Sequence, residues 1–473
     1  MEETVEEHLI GAKIKVFYGT FIDTPFIGKL RVRQHTAVGV NENGTIVFIK
    51  ENCESPDIAL LEYNPDININ DNVEFINKQC EKEYSTFFFP GFIDTHIHAS
   101  QYPNSGIFGN TTLLDWLTKY TFPLEASLKD LSIAHKVYTK VVERTLSNGT
   151  TTAAYYTTID PESTKLMAKI CSERGQRALI GKVCMDRNSP DTYQESTHES
   201  LESSDEVIAY IRNTLKDPKI LPILTPRFAP TCSCELMKGL SKLAQSYDNL
   251  HIQTHLSENL KEIDWVKELF PDCSSYTDVY YKYGLLTNKT ILAHCVHLSN
   301  PEIELIKTAG AGVAHCPIAN TSLSSGECHV RKLIDEGVNV GLGTDVSGGF
   351  SSSILVTARQ AHLVSRHLSM KFEDEVDKDH MKLSVVDALY LGTQGGANVL
   401  NMGDKLGTFD VGKKFDSQLI NINSEYDPVD IFHWQVPSEN NDSFTMEEII
   451  SKWFFNGDDR NTINVWVDGS QIL

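Results

Sequence analysis

Two histidines one residue apart close an apolar run at Phe88-Phe89-Pro90-Gly91-Phe92-Ile93-Asp94-Thr95-His96-Ile97-His98. If that run is a strand, its side chains alternate between two faces, so His96 and His98 project on the same side. Two neutral imidazoles on one side can share a divalent ion, although an isolated pair fits a hydrogen-bonded polar crevice equally well. Further donors recur at the ends of later apolar runs: His255 in Thr254-His255-Leu256-Ser257-Glu258, His294 in Ala293-His294-Cys295, and Asp345 in Gly343-Thr344-Asp345. Histidines and a carboxylate converging on one mouth form a site of borderline hardness, suited to Zn²⁺ with Fe²⁺ close behind. Glu258 stands three residues past His255. Beside a metal histidine it is a candidate to carry protons to and from a water; in isolation it reads as an exposed acid in the first turn of a helix.

Such residues need a scaffold that gathers them. Eight short apolar runs occur at 87–94, 150–156, 177–185, 220–228, 251–258, 290–297, 312–320 and 339–346, separated by helix-length stretches such as 132–147 and 161–174. Repeated strand–helix units imply a parallel sheet, and eight of them imply an α/β fold, the (β/α)8 TIM barrel. In that fold the carboxyl ends of the strands carry the chemistry, and His96, Arg227, His255, His294 and Asp345 all fall there. A doubly wound open sheet is the alternative, but no Gly-x-Gly-x-x-Gly follows the first run. Residues 11–50 alternate apolar and polar around turn pairs such as Asn43-Gly44, and 403–422 and 464–472 repeat the pattern. Strands from both ends are therefore expected to pair into a small β-sandwich domain. The expected division is 1–86 and 403–473 for that domain and 87–402 for the catalytic barrel. The acidic, Asn-rich stretch at about 51–85 reads as an insertion.

Composition narrows the partners. The 473 residues carry 42 Lys+Arg against 64 Asp+Glu, a net charge of −22, with 41% hydrophobic and 22% charged residues. The apolar fraction supports a large core, and the acidic excess repels phosphate backbones and anionic headgroups, so neither nucleic acid nor membrane is an expected partner. No run of 18 apolar residues predicts a membrane span. The start, MEETVEEHLI, lacks the basic and apolar regions of a secretory signal, which predicts an intracellular, cytoplasmic chain. Ten cysteines are scattered without paired C-x-x-C motifs, which predicts reduced, structural thiols.

The strings Pro90–His98, Thr254–Glu258, Ala293–Cys295 and Gly343–Asp345, in this order and at these run ends, resemble the amidohydrolase superfamily. The longer strings His98–Tyr102, Asp115–Pro123 and Thr225–Phe228 resemble its purine-base deaminases. The resemblance covers most of the chain but not 51–85, to which no function is carried over. It implies one Zn²⁺ per chain held by His96, His98, His255 and Asp345, with His294 beside the activated water and Glu258 and Asp345 moving protons. Superfamily members with two metals carry a carbamylated lysine or a carboxylate at the end of the fourth strand. Arg227 stands there, and a guanidinium cannot bridge two cations.

The resemblance further implies Gln101 and Arg227 as the readers of a purine, with His98, Phe228 and Trp116 around it. The implied reaction is hydrolytic deamination of guanine by water to xanthine and ammonia, in a homodimer. The alternatives are a related amino- or chlorohydrolase of another nitrogen heterocycle (adenine, cytosine or triazine) and a scaffold of the same fold without activity. An Arg fork facing carbonyl O6 favours guanine, because adenine would set donor against donor. The plainer roles are a barrel carboxylate as partner for Arg227, a backbone contact for Gln101, and pocket wall for Phe228 and Trp116. The Gly/Ser stretch at 347–353 lacks Gly-Lys-Ser/Thr and is expected to shape the rim of the site rather than to bind phosphate. His297, His315, His362 and His367 are expected to be structural or at the surface.

Overall fold

A parallel sheet rolled into a barrel places the motif residues. The computed structural model describes residues 13–79, 84–108, 111–422, 427–436 and 444–473; the signal-peptide reading of the N-terminus falls outside them. The barrel strands are β6 (Phe92–His98), β7 (Thr150–Tyr156), β8 (Arg177–Gly181) with its short continuation β9 (Val183–Cys184), β10 (Ile220–Pro226), β11 (His251–Leu256), β12 (Thr290–His294), β13 (Gly312–His315) and β14 (Asn339–Leu342). They pair in sequence order, all parallel. Groups at the mouth join the last strand to the first: Thr95 Oγ1 donates to the Leu342 carbonyl at 2.8 Å, and the Asp345 amide to the His96 carbonyl at 2.9 Å. Ile93, Ala154, Leu179, Ile223, Ile291 and Ala314, from six of the strands, pack with Leu400 and Leu406 into one buried cluster. The barrel centre is therefore a filled core, and chemistry is confined to the carboxyl end.

One detail of β6 aims the histidines. Ile93 belongs to that inner cluster, whereas Ile97 packs outward with Ala134, Tyr138 and Val141 of the helix Leu131–Ser147. Strict alternation would put 93 and 97 on one face. The register of β6 on β7 slips between Asp94 and Ile97, and this bulge turns the even positions, His96 and His98, to the barrel interior.

The expected first run, 87–94, splits between two sheets. Thr86–Pro90 forms β5, which pairs antiparallel with β15 (Ser417–Asn421), and only Phe92 onward enters the barrel. Gly91 sits at the break, where a Cβ would lie 2.1 Å from Thr151 Oγ1. The outer sheet runs β17 (Ser470–Gln471), β16 (Thr462–Val467), β15, β5, β1 (Ile14–Phe26), β2 (Lys29–Asn41), β3 (Ile46–Lys50), so strands from both chain ends share it. Phe17 on β1 and Trp466 on β16, three strands apart, bring their rings to 5.6 Å. A flat sheet would hold those strands roughly 14 Å apart, so this one curls until its inner face packs on itself.

The acidic stretch carries structure of its own. Its helix Pro56–Tyr63 buries Ala59 and Leu60 against Val16 and Phe48, and β4 (Val73–Asn77) pairs parallel with β1. Arg177 ties barrel to outer sheet, donating to Asp416 at 3.0 and 3.2 Å and to Asp468 at 2.5 Å. Among the described residues no helix is long and apolar enough to cross a membrane.

Candidate active site

Strand β6 delivers His96 and His98, β11 delivers His255, and the turn after β14 delivers Asp345; their ligating atoms lie within 4.8 Å of one another. His98 Nε2 stands 3.2 Å from His255 Nε2, and Asp345 Oδ1 stands 3.3 Å from His96 Nε2 and 3.5 Å from His98 Nε2. Around an ion with bonds of about 2.0–2.1 Å, the edges of a tetrahedron are roughly 3.3–3.4 Å, so the spacing suits one divalent cation. The donors are also prepared for it. His96 gives its Nδ1–H to Gln253 Oε1 at 2.6 Å and His255 gives its Nδ1–H to the Arg227 carbonyl at 2.5 Å, which leaves both Nε2 lone pairs bare. His96 Nε2 is buried with no hydrogen-bond partner among the described residues. Burial first, and then the neighbouring rings, hold the His98 and His255 pKa values well below the usual histidine range, so both stay neutral.

Further titratable groups stand beside this cluster. Glu258, buried just past β11, receives a hydrogen bond from Ser325 Oγ at 3.0 Å on Oε1 and turns Oε2 to His294 Nε2 at 3.5 Å. Burial, and next the charge of Asp345, push the Glu258 carboxyl up to about 8. His294 gives its Nδ1–H to Asn320 Oδ1 at 2.8 Å and faces Asp345 Oδ2 at 3.8 Å with Nε2. Ser257, His294, Cys295 and Asp345 all hold positive φ, between 47° and 72°. Non-glycine residues enter that region at a cost, and its concentration at these strand ends is backbone strain spent on aiming side chains.

A small pocket opens over the cluster, lined by His98, His255, Glu258, His294 and Asp345 together with Gln101, Arg227, Phe228 and Trp116. Trp116 turns its indole N–H away, to the Ile107 carbonyl at 3.2 Å, and packs with Leu113, Phe122, Tyr193 and Phe228 as apolar wall. Arg227, at the end of β10, is both pocket-lining and paired: its NH1 and NH2 donate to Glu125 at 2.8 and 3.2 Å. The carboxylate pairing weighed in the sequence is present, and Arg227 lines the pocket as well. Gln101 does not spend its amide on backbone alone, because its Nε2 donates to the same Glu125 at 2.9 Å.

Sequence reasoning missed Glu125, Gln253, Asn320 and Tyr193. Gln253 was within reach: two residues before His255 on a strand, it must face the same side. Glu125 carries no such signal, being one acid of many in the chain, with its partners Gln101, Arg227 and Tyr193 on other elements.

With this geometry in view, comparison with known proteins is decisive. Residues 87–472 match the model of the Amidohydrolase family. The chain belongs to the amidohydrolase family. Within it, the chain is 47% identical to a probable guanine deaminase of Schizosaccharomyces pombe, over 98% of this chain and 84% of that one. It is 44% identical to the guanine deaminase of Dictyostelium discoideum, over 97% and 98%. The crystal structure of guanine deaminase from C. acetobutylicum with bound guanine in its active site superposes with a TM-score of 0.84 at 34% identity, covering 98% of this chain and all of that one. That superposition takes in the barrel and the outer sheet together, since it covers 98% of this chain.

Proposed function

We propose that this amidohydrolase converts guanine and water to xanthine and ammonia with a single Zn²⁺ held by His96, His98, His255 and Asp345. The observation that carries the reading is the pairing, in one cavity, of that ligand cluster with a wall of Arg227 and Gln101. When bound, the ion supplies a Lewis acid that makes water nucleophilic near neutral pH.

The chain's own residues do the rest. Arg227 donates to O6 and, with Gln101, Phe228 and Trp116, holds the purine so that C2 faces the histidines. Glu258 takes a proton from the attacking water and delivers it to N3 as oxygen adds to C2. Asp345 accepts the second proton, with His294 Nε2 beside it. Return of that proton to the exocyclic nitrogen lets the C2–N bond break and ammonia leave. Glu258 suits this exchange because its raised pKa allows it both to accept and to give up a proton near neutrality.

The test is turnover of guanine, adenine and cytosine by purified protein, followed by ultraviolet absorbance, with the metal measured on the same sample. Xanthine formation at a kcat/KM well above the rates on the other bases, with one zinc per chain, is the expected result. Preference for another base overturns the substrate, and activity in fully metal-free protein overturns the chemistry.

A further inference from the structure

Glu125 touches both side chains assigned to reading the base. It is fully buried, on the short helix Phe122–Ser127. Oε1 accepts from Gln101 Nε2 at 2.9 Å and Arg227 NH2 at 3.2 Å; Oε2 accepts from Arg227 NH1 at 2.8 Å and the Tyr193 hydroxyl at 2.8 Å. An ionised carboxylate offers about four acceptor positions and no donor, so all of them are used. One turn earlier on the same helix, the ring of Phe122 carries the Arg227 guanidinium carbon 5.1 Å over its centroid. The helix therefore holds Arg227 by two hydrogen bonds and a cation–ring contact.

The consequence for Gln101 is directional. Its amide must turn NH2 toward Glu125, because a carboxylate cannot donate to the oxygen. Gln101 Oε1 is then left with a single long contact, the Ser347 amide at 3.4 Å, and is available as an acceptor in the cavity that Gln101 lines. Arg227 gives two of its five N–H groups to Glu125 and keeps three. The wall thus shows a donor from Arg227 beside an acceptor from Gln101.

We infer that Glu125 is a positioning residue that sets the polarity of this wall, selecting a heterocycle whose ring carbonyl lies next to a ring N–H. The inference rests on the guanine reading above. Guanine presents O6 beside N1–H, complementary at both points; adenine presents an amino donor beside a bare N1, reversed at both. Replacing the carboxylate by an amide frees Gln101 to flip, since the new amide can meet either of its ends. A Glu125 that served only as counter-ion to Arg227 would leave the direction of the Gln101 amide without effect.

Hypoxanthine and adenine separate these cases. Hypoxanthine has the O6 and N1–H edge but no 2-amino group to lose, so it reports binding without turnover. Calorimetric affinities for both bases are compared in zinc-loaded wild type, Glu125→Gln and Glu125→Asp, with metal content and melting curves alongside. Wild type should prefer hypoxanthine by roughly 30-fold or more, Glu125→Gln by less than about threefold, and Glu125→Asp should retain most of the preference. A folded Glu125→Gln with the wild-type preference, or a wild type with none, overturns the inference. Should Glu125→Gln fail to fold, Gln101→Met decides, because the polarity set by Glu125 is expressed through the Gln101 acceptor: loss of most of the preference supports the inference, and an unchanged preference overturns it. Guanine turnover by wild type is scored separately, so failure of the substrate reading is seen as absent xanthine whatever the binding ratios.

Discussion

Arg227→Met should damage stability and activity together, and only a second substitution separates the two. The change strips Glu125, itself 0% exposed, of two of its four hydrogen bonds and of its positive partner. Leaving a buried carboxylate unpaired costs about 3–5 kcal/mol. Unfolding entropy near 2.1 cal/mol/K per residue over a chain of this length makes that a fall of roughly 3–5 °C in Tm. Loss of the donor to O6 should also lower kcat/KM on guanine by roughly 30- to 1000-fold, equivalent to about 2–4 kcal/mol. Arg227→Met combined with Glu125→Met removes the stranded charge, so most of the lost Tm should return while kcat/KM stays low. The measurement is a double-mutant cycle in Tm and in kcat/KM for guanine, at constant zinc. If the double variant recovers activity along with stability, Arg227 is a brace and does not read the base. If Arg227→Met alone leaves Tm unchanged, the buried ion pair has been misjudged.

Glu258→Gln should retain zinc and bind hypoxanthine while kcat falls by about 10²–10⁴ or more, since an amide fills the space but cannot take and return a proton; near-normal kcat removes it from the mechanism. Asp345→Ala should lose metal and activity together, and retention of one zinc per chain by elemental analysis would contradict its place among the ligands. Gln253→Leu leaves the His96 Nδ1–H without its 2.6 Å acceptor and should weaken zinc affinity by roughly 10- to 100-fold in a chelator competition; unchanged affinity would show that His96 needs no such support.

The barrel was legible because each strand is a short apolar run ended by a polar residue, a pattern that burial on both faces of a parallel strand imposes. The ends of the runs were not. The seventh, 312–320, is strand only to His315, and residues 317–322 are helical, because apolar content alone does not separate a buried strand from a buried helical turn. For the same reason 87–94 hid a change of sheet at Gly91. His96, His98, His255 and Asp345 could be picked out since metal chemistry needs few residue types and puts them at strand ends. The wall proposed to read the base was only half visible: Gln101 and Arg227 stood in recognisable strings, but their shared partner Glu125 is 24 and 102 residues away and is brought to them by folding alone. The packing of the acidic stretch was hidden for a different reason: its few apolar residues, Ala59, Leu60 and Ile67, are enough to anchor it against β1.

The most direct test of the account is a single preparation of the full chain, loaded with zinc and assayed for xanthine and ammonia released from guanine, before and after removal of the ion by a chelator and its restoration. One zinc per chain, equal yields of the two products, loss of turnover on chelation and its return with zinc is the expected result. Xanthine formation that persists in protein shown to hold no metal, or zinc-loaded protein that leaves guanine intact, would contradict it.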